Sequence, residues 1–303
     1  MEALGRAGFR RGLEGRAALE RPAVDRTIYT DSSSQMVSSL VLASAALADP
    51  VLLSTAERVS DFVWSAGMRH GTGVCHYFEL PGGGPGLWGQ PSDQVYFLAA
   101  QIDLYQATGG ARFLARAREL ADLLVERYRA EQGWVLEPGE GVGQPGAPES
   151  VALGDAPVDA PDIIVNGHAA RMLLALDTLA PEQGYGEAAV RILESFADSY
   201  RTYAYFAAGY ALAADTQTGG IVEVRVNPGV AGETRKEMVS AALAAYHPRK
   251  LIRLESVEDY VAADEGAPAP PAVVCSTGHC LQVNSAAEVA GALGSATGEV
   301  AGE

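Results

Sequence analysis

A pattern of paired apolar stripes, repeated three times, constrains this sequence more than any other feature. Two stripes with helical spacing flank a short "ADP" turn at 48–50, which predicts a helical hairpin. The arrangement returns around "TGG" at 108–110 and around "APEQG" at 180–184. The successive stripes are Met36, Leu40, Ala43 and Leu47; Leu52, Ala56, Val59 and Val63; Val95, Leu98, Ile102 and Tyr105; Phe113, Ala117, Leu120, Leu124 and Tyr128; Ala169, Leu173 and Leu176; and Ala189, Leu193, Phe196, Tyr200 and Tyr203.

The second helices of the three hairpins share a local signature. It reads "LSTA", "LARA" and "YGEA", ending at Ala56, Ala117 and Ala188. A bulky residue three positions before a small one allows a helix to lie close to its partner. Hairpin units that recur about every 60 to 70 residues are typical of folds that stack into a solenoid or close into a toroid.

Two long connections, 67–92 and 130–165, separate the hairpins and are rich in Gly, Pro and polar residues. Loops of this length in a compact domain are usually functional. Both connections follow the second helix of a hairpin, so we expect them to emerge at the same end of the helical array.

After residue 216 the spacing changes to that of a small α/β unit. "GGIVEVRVNPG" alternates like a strand, and "ETRKEMVSAALAAY" is typical of a helix. "RKLIRLE" and "AVVC" predict two further strands, which gives a β-α-β-β order. We therefore divide the chain into an N-terminal segment (1–25), a helical-hairpin domain (26–216), a C-terminal α/β appendage (217–294) and a disordered tail (295–303).

Four stretches of the sequence, in order, carry a family resemblance. They are "RPAVDRTIYTDSSSQMVSSL", "GLWGQPSDQVYFLAAQIDLYQATGGARFLARARELA", "VNGHAARMLLAL" and "AVVCSTGHC". They are similar to "RP-x-x-D-D-K-x-x-T-S-W-N-G-L-M-I-x-A-L", "GFLEDYAFL…LLELYEATGD…YL…A", "SGNSVAAxNLLRL" and "AYVCxNxxC" of the thioredoxin-domain-containing proteins whose animal member is a spermatogenesis-associated protein. The resemblance covers roughly residues 20–293.

The resemblance implies a mainly α fold, a partial (α/α)6 toroid of helical hairpins with a small C-terminal α/β appendage. N-acylglucosamine 2-epimerases and several glycoside hydrolases use the same six-hairpin architecture. The family's thioredoxin-like domain and the "GGGFHRY" and "PHFEKMLYD" stretches of its first toroid half have no counterpart in this sequence. We therefore expect the chain to correspond to the carboxy-terminal half of the family.

Acid/base chemistry on a sugar in such a toroid needs acidic or histidine side chains that project into its centre. The predicted catalytic candidates lie on the long connections or at the helix starts beside them: Asp93, His168, Glu79 and Asp162, with Asp159 within reach. The predicted substrate-binding candidates are Asn166, Trp88, Trp134, Tyr77 and His76.

Each candidate also has a structural explanation. Asp93 and Asn166 are suitable residues for capping a helix, or for interacting with its dipole, at its amino terminus. His168 is compatible with a buried structural histidine. Trp88 and Trp134 either stack on a sugar ring or cover a hairpin core.

The two cysteines of "CSTGHC", Cys275 and Cys280, allow three interpretations. A reversible disulfide across a turn is sterically feasible. A zinc site with His279 is disfavoured by the loose spacing. Two free thiols, one at a strand end and one in a turn, is the interpretation we favour.

Composition restricts the partners. A formal charge of −16 argues against nucleic acids and anionic membranes, and no apolar run is long enough for a membrane span. Three cysteines in 303 residues indicate a reducing compartment, so we expect a cytoplasmic protein. "PGGGPG" at 81–86 lacks the Lys and Ser or Thr of a phosphate-binding loop, and we expect no cofactor and no metal.

Two functional hypotheses follow. The first is a six-hairpin protein that binds a sugar or acts on it by acid/base chemistry, as an epimerase, isomerase or glycoside hydrolase. The alternative is a non-catalytic half-toroid that self-associates or pairs with a separately encoded thioredoxin-domain partner, because a truncated toroid exposes an apolar flank.

Overall fold

Three helical hairpins and one additional helix form two rows in the computed structural model, which describes residues 24–80, 82–130, 133–136, 162–254 and 269–296. The first helix of each hairpin and the additional helix make the inner row, in which neighbours pack side by side, and the second helices make the outer row. The inner helices are α1 (Thr30–Ala46), α3 (Pro91–Thr108), α5 (Ile163–Leu179) and α7 (Ala208–Gly219), and the outer helices are α2 (Pro50–Gly67), α4 (Ala111–Arg127) and α6 (Tyr185–Phe196).

Inner and outer helices differ in how their surfaces are buried. Helices α3 and α5 are apolar on nearly every side, because each touches inner neighbours on both flanks and an outer helix behind it. The outer helix α4 buries a single stripe. Its predicted members are confirmed: Phe113, Ala117, Leu120 and Leu124 are buried.

The stripe predicted for α1 is wrong. Met36 and Leu47 are 58% and 71% exposed, and the buried face is Thr30, Ser34, Val37 and Val41 instead. Small and β-branched side chains on the buried face allow α1 to approach α2 and α3 closely. This close packing stabilises the helix position more than burial of the bulkier apolar side chains on the other face would. Association of the exposed flank with a second copy or a separate partner stays a prediction.

The last predicted stripe is partly wrong as well. Helix α6 ends at Phe196, so Tyr200 and Tyr203 do not continue it but lie in a 3₁₀ segment, Tyr200–Ala207, that leads into α7. The Tyr200 ring stacks on Tyr210 of α7 with centroids 5.2 Å apart. The regular spacing of these aromatic residues along the sequence therefore does not mark one face of a single helix. It reflects an aromatic cluster formed by the 3₁₀ segment and α7.

A small antiparallel sheet occupies the first long connection. Its central strand β3 (Gly73–Phe78) pairs with β1 (Ile28–Tyr29), β2 (Met68–Arg69) and β4 (Pro85–Trp88). The second connection begins with a two-stranded ribbon, β5 (Arg129–Ala130) and β6 (Gly133–Leu136). Asp159 lies outside the described residues, as do residues 131–132 and 137–161 of that connection.

The C-terminal appendage is a four-stranded sheet with two helices. The strands are ordered β10-β9-β7-β8, with β7 and β8 parallel and the other pairs antiparallel. The predicted β-α-β-β order is present, followed by a strand and a helix that the sequence analysis did not predict. The elements are β7 (Val222–Val226), α8 (Gly232–Ala244), β8 (Lys250–Leu254), β9 (Ala272–Ser276), β10 (His279–Val283) and α9 (Val289–Ser295).

The appendage packs on the inner row. Helix α8 contacts α1 and α3, and strand β8 contacts α3. The Ile252 backbone N–H donates to Gln106 Oε1 at 2.9 Å, and the Tyr105 hydroxyl donates to the Leu254 carbonyl at 3.5 Å. These bonds place the loop between α8 and β8 against the inner helices.

The favoured interpretation of Cys275 and Cys280 as free thiols is wrong. The two residues face each other in the β9–β10 register and form a disulfide. A disulfide across paired strands needs neighbouring Cα atoms, which the hairpin provides. The third cysteine, Cys75, is free and buried in β3. With two of three cysteines paired, the cysteine count no longer indicates a reducing compartment.

The predicted tail at 295–303 falls almost entirely outside the described residues, as does most of the predicted N-terminal segment. Among the residues that the structure describes, no helix has the length and apolar character that crossing a membrane requires.

Substitution of Gly167 tests the closest helix contact of the inner row. A Cβ at Gly167 of α5 would lie 2.4 Å from the Tyr210 backbone nitrogen of α7, so Gly167→Ala must push the two helices apart. We expect a loss of about 1–3 kcal/mol in the free energy of unfolding, measured by chemical denaturation. Gly232→Ala is the matched control, because a Cβ there meets nothing within 4 Å. Equal stability of the two variants would contradict the close contact.

Reduction of the disulfide provides a second test. Cys275 and Cys280 close a short loop, so reduction should lower the free energy of unfolding by about 2 kcal/mol, measured with and without a phosphine reductant. The double variant Cys275→Ser/Cys280→Ser should not respond to the reductant. Two reactive thiols in the native, unreduced protein would show that the disulfide is absent.

Candidate functional site

Asp93 joins three separate segments at the N-terminal end of the inner row. Its side chain is 0% exposed, and Oδ1 accepts a hydrogen bond from the Asp31 backbone N–H at the start of α1, at 3.1 Å. Its Oδ2 lies 3.0 Å from Nδ1 of His76 in β3. The residue that precedes α3 is Gln90, and Asp93 in the first helical turn is not its cap. Asp93 is therefore not the cap, but its place in the first turn of α3 agrees with the predicted interaction with the helix dipole, and the carboxylate also serves contacts between segments.

The pKa values of both members of the His76–Asp93 pair are raised. Burial raises the pKa of Asp93 to about 6, and the hydrogen bond from His76 opposes that rise. The hydrogen bond to Asp93 raises the pKa of His76, against the effect of burial. The His76 side chain is 27% exposed, and its ring contacts Tyr29 and Tyr77. An imidazole whose protonated form is favoured, at a partly open position, is suited to donate a proton.

Asp162, predicted as a catalytic candidate, takes the capping role that was considered for Asn166. The Asp162 side chain accepts hydrogen bonds from the backbone N–H groups of Ile164 and Val165, at 2.8 and 3.4 Å, and so caps α5. Asn166 is therefore not the cap that we considered. It lies buried inside the first turn and donates from Nδ2 to the Asp162 carbonyl at 3.0 Å.

His168 and Tyr96 meet where α5 and α3 pack together. Their ring centroids lie 5.1 Å apart. Burial, reinforced by the charge of Arg171, lowers the pKa of His168 to about 4, so this imidazole is neutral at physiological pH. Burial raises the pKa of Tyr96, with further contributions from the Asp162 and Asp31 carboxylates. Side chains from the starts of α1, α3 and α5 therefore converge at one end of the inner row.

A cavity of about 610 Å³, the central cavity, extends from this end along the inner helices. The appendage closes it with the end of α8, the following loop and the start of β8. Its lining residues are Gln35, Ser38, Ser39, Leu42 and Ala46 of α1; Tyr96, Ala99, Ile102, Asp103 and Gln106 of α3; His168, Arg171, Met172 and Ala175 of α5; Thr216 and Ile221; and Leu243 to Leu251.

Asp103 is the acidic group of the central cavity. Burial raises its pKa to about 6, while a hydrogen bond from Ser38 and the charges of Arg171 and Lys250 act in the opposite direction. Its Oδ1 also accepts from Gln106 Nε2 at 3.3 Å. A carboxyl group that titrates near neutral pH inside a cavity is a candidate for ligand binding or proton transfer.

Other predicted candidates lie away from this group. Glu79 is exposed in the turn after β3. The Trp88 indole N–H donates to the Gly67 carbonyl at 2.9 Å, and the Arg69 guanidinium lies 3.2 Å from the indole centroid, so Trp88 covers the end of α2. Trp134 lies in β6, and its side chain is outside the described residues.

Sequence analysis missed Tyr96, Asp103 and Arg171. A usable signal was present, because Asp103 and Arg171 are charged residues inside otherwise apolar inner helices. Tyr96 and Asp103 are seven residues apart, a spacing that places them on one helix face. Within the described ranges, no three His, Cys, Asp or Glu side chains are grouped so that they could hold a metal ion.

Comparison with known proteins shows the fold. No protein-family model and no curated protein matches the chain. A family 76 glycoside hydrolase from a bovine Bacteroides thetaiotaomicron strain is similar, with a TM-score of 0.50 and 16% identity over 90% of this chain and 57% of that one. The chain is mainly α, a partial (α/α)6 toroid of helical hairpins with a small C-terminal α/β appendage.

Two further solved structures are similar at lower TM-scores. A GH76 alpha-mannanase of Bacteroides thetaiotaomicron has a TM-score of 0.48 and 17% identity over 65% of this chain and 52% of that one. A cellobiose 2-epimerase from Bacillus thermoamylovorans has a TM-score of 0.48 and 13% identity over 58% and 46%. The chain thus spans about half the length of these proteins. The link to the thioredoxin-domain-containing family stays a prediction.

The variant Asp93→Asn tests the buried pair through the pH dependence of stability. Both Asp93 and His76 have pKa values above their ordinary ones in the folded state, so they bind protons more tightly there. Their contribution is therefore full at low pH and is lost as the pH rises through about 6 and above. The amide that replaces the carboxyl group does not titrate, so the variant should gain on the wild type as the pH rises from 3.8 to about 6, by up to about 3 kcal/mol.

Thermal unfolding of both proteins across this pH range measures the difference. Asp198→Asn is a matched control, because Asp198 is exposed after α6, away from the pair. A difference between Asp93→Asn and the wild type that stays constant with pH would contradict the pairing.

Proposed function

We propose that the protein acts on a sugar by proton transfer at the N-terminal end of the inner row, as an epimerase, isomerase or glycoside hydrolase. The observation that carries this proposal is a pair of histidines with opposite pKa shifts. Hydrogen bonding to Asp93 raises the pKa of His76, which favours its protonated form, whereas burial lowers the pKa of His168 to about 4 and keeps it neutral. Two titratable groups whose environments separate their pKa values are the usual arrangement of an acid and a base.

The two histidines belong to one connected set of contacts. His76 binds Asp93 in the first turn of α3, and Tyr96 lies one turn further along the same helix. The Tyr96 ring contacts His168 of α5. A sugar bound over Tyr96 would lie between a proton donor and a proton acceptor, as reactions at a sugar carbon require.

We assign roles to these residues in the proposed reaction. His76 donates a proton and His168 accepts one. Asp93 is a positioning residue, because it orients His76 and sustains its charge without being exposed. Tyr77, next to His76 at the partly open edge, is proposed to contribute to sugar binding, and the buried Asn166 is proposed to support the start of α5.

The similar solved structures support this class of substrate. One is a family 76 glycoside hydrolase, and another is a cellobiose 2-epimerase. Hydrolysis and epimerisation both depend on general acid/base groups, and both classes of product can be detected in one assay.

The experiment is NMR of a sugar panel in D₂O with the full chain. Glucose, mannose, N-acetylglucosamine, cellobiose and mannobiose are tested for deuterium uptake at C2, for epimers and for new reducing ends. We expect turnover of at least one sugar. His76→Asn and His168→Asn should each reduce kcat by about 10²-fold or more, because each loses a proton-transfer group.

His279→Asn is the matched control, because His279 is exposed on β10 in the appendage. It should retain wild-type kcat. A folded wild-type protein that neither turns over nor binds any sugar of the panel would contradict the proposal. Unchanged kcat in both His76→Asn and His168→Asn would also contradict it.

A further inference from the structure

The wall that the appendage contributes to the central cavity contains a buried ring nitrogen without a partner. His247 is 7% exposed and lines the cavity. Its Nδ1 accepts a hydrogen bond from the Arg249 backbone N–H at 3.1 Å. Its Nε2 has no hydrogen-bond partner among the described residues.

The bond at Nδ1 determines what Nε2 can offer. A neutral imidazole carries its proton on one nitrogen only, and the nitrogen that accepts from Arg249 is not that one. Nε2 is therefore a donor. Burial and the charges of Arg249 and Lys250 lower the pKa of His247, so the ring stays neutral at physiological pH. A buried donor without an acceptor costs about 1–3 kcal/mol, and native proteins contain few of them.

Arg171 adds further donors to the same part of the central cavity. Its Nη2 donates to the carbonyl of Pro248, the residue directly after His247, at 3.4 Å. This is one of the five N–H groups of a guanidinium. The contact brings the guanidinium next to the His247 backbone, and both side chains line the cavity.

The charges of the central cavity favour an anion. Lys250 and Arg171 are cationic, and Asp103 is the acidic side chain that faces them across the cavity lining. The Lys250 ammonium donates to the carbonyls of Ala242, Leu243 and Ala245 at the end of α8, so it contributes charge but has no donor to spare. This local surplus of positive charge contrasts with the formal charge of −16 of the whole chain.

The central cavity also offers a complement to sugar hydroxyls. The Asp103 carboxylate accepts hydrogen bonds, and the Ser38, Ser39 and Gln35 side chains of the neighbouring helix α1 also line the cavity. A cavity of about 610 Å³ lies within the range that holds small ligands.

We propose that the central cavity binds an anionic monosaccharide, whose acidic group accepts hydrogen bonds from His247 Nε2 and the Arg171 guanidinium while its hydroxyls donate to Asp103. The inference rests on the proposed sugar function and specifies the charge of the sugar. A carboxylate and a phosphate share the chemistry that this site recognises, so the test includes both.

Isothermal titration calorimetry with glucuronate, glucose 6-phosphate and glucose tests the assignment. At least one of the two anions should bind ten or more times more tightly than glucose. His247→Asn retains an acceptor for the Arg249 N–H but loses the Nε2 donor, and Arg171→Gln loses the guanidinium. Each variant should weaken binding of the preferred anion at least tenfold. Arg127→Gln, at an exposed position on α4, is the matched control and should bind like the wild type.

Circular dichroism establishes that each variant is folded. If His247→Asn proves unstable, Arg171→Gln still decides, because Arg171 is only half-buried. The assignment is overturned if neither anion binds, if glucose binds as tightly as both anions, or if the folded variants bind like the wild type.

The outcomes separate this inference from the proposed reaction. Turnover of a neutral sugar without binding of either anion overturns the anionic site and leaves the His76 and His168 chemistry standing. Binding of an anion that depends on Arg171, without turnover of any sugar including that anion, overturns the chemistry and leaves the site standing.

Discussion

The buried carboxylate of Asp93 is the interaction on which the rest of the site depends. It accepts from the Asp31 backbone at the start of α1 and binds His76 of β3 while it belongs to α3. A charge without solvent contact is tolerated only when hydrogen-bonding partners surround it. Because those partners come from α1 and β3 while Asp93 belongs to α3, the requirement to satisfy one carboxylate also fixes the relative positions of two inner helices and the small sheet.

The two histidines of the site illustrate how one residue type acquires opposite properties. His76 lies beside a carboxylate, which favours the imidazolium form. His168 lies between apolar helices with Arg171 nearby, and both surroundings favour the neutral form. The fold produces this difference by placing the first histidine on a strand at the edge of the array and the second inside the inner row. The division of protonation states thus follows from the layered architecture.

Sequence periodicity predicted the helical hairpins well where one face of an outer helix is buried, as in the α4 stripe around Phe113 and Leu120. It failed for α1, whose face toward α2 and α3 carries small or β-branched side chains such as Ser34, while the bulkier Met36 is exposed. Asp93 was predicted as a candidate, but its contact with Asp31, 62 residues earlier, depends on tertiary structure that a local pattern does not contain.

The polar groups of the central cavity likewise include one that the sequence could have identified and one that it could not. Asp103 was recognisable in principle as a charge inside an apolar helix. His247 was not, because its significance depends on where the appendage packs, and no periodicity describes that. The sequence therefore identified the N-terminal end of the inner row as a candidate site. It did not identify the wall of the central cavity that the appendage contributes.

The wall that the appendage contributes has a consequence for how the parts of the protein pack together. The central cavity is lined by the inner helices α1, α3 and α5 and by the segment of the appendage from the end of α8 to the start of β8. The appendage thus supplies one wall, which is in place only while the appendage is seated on the helical rows. Any ligand held there contributes its binding free energy to that seating, which makes occupancy of the cavity and attachment of the appendage two measures of one equilibrium.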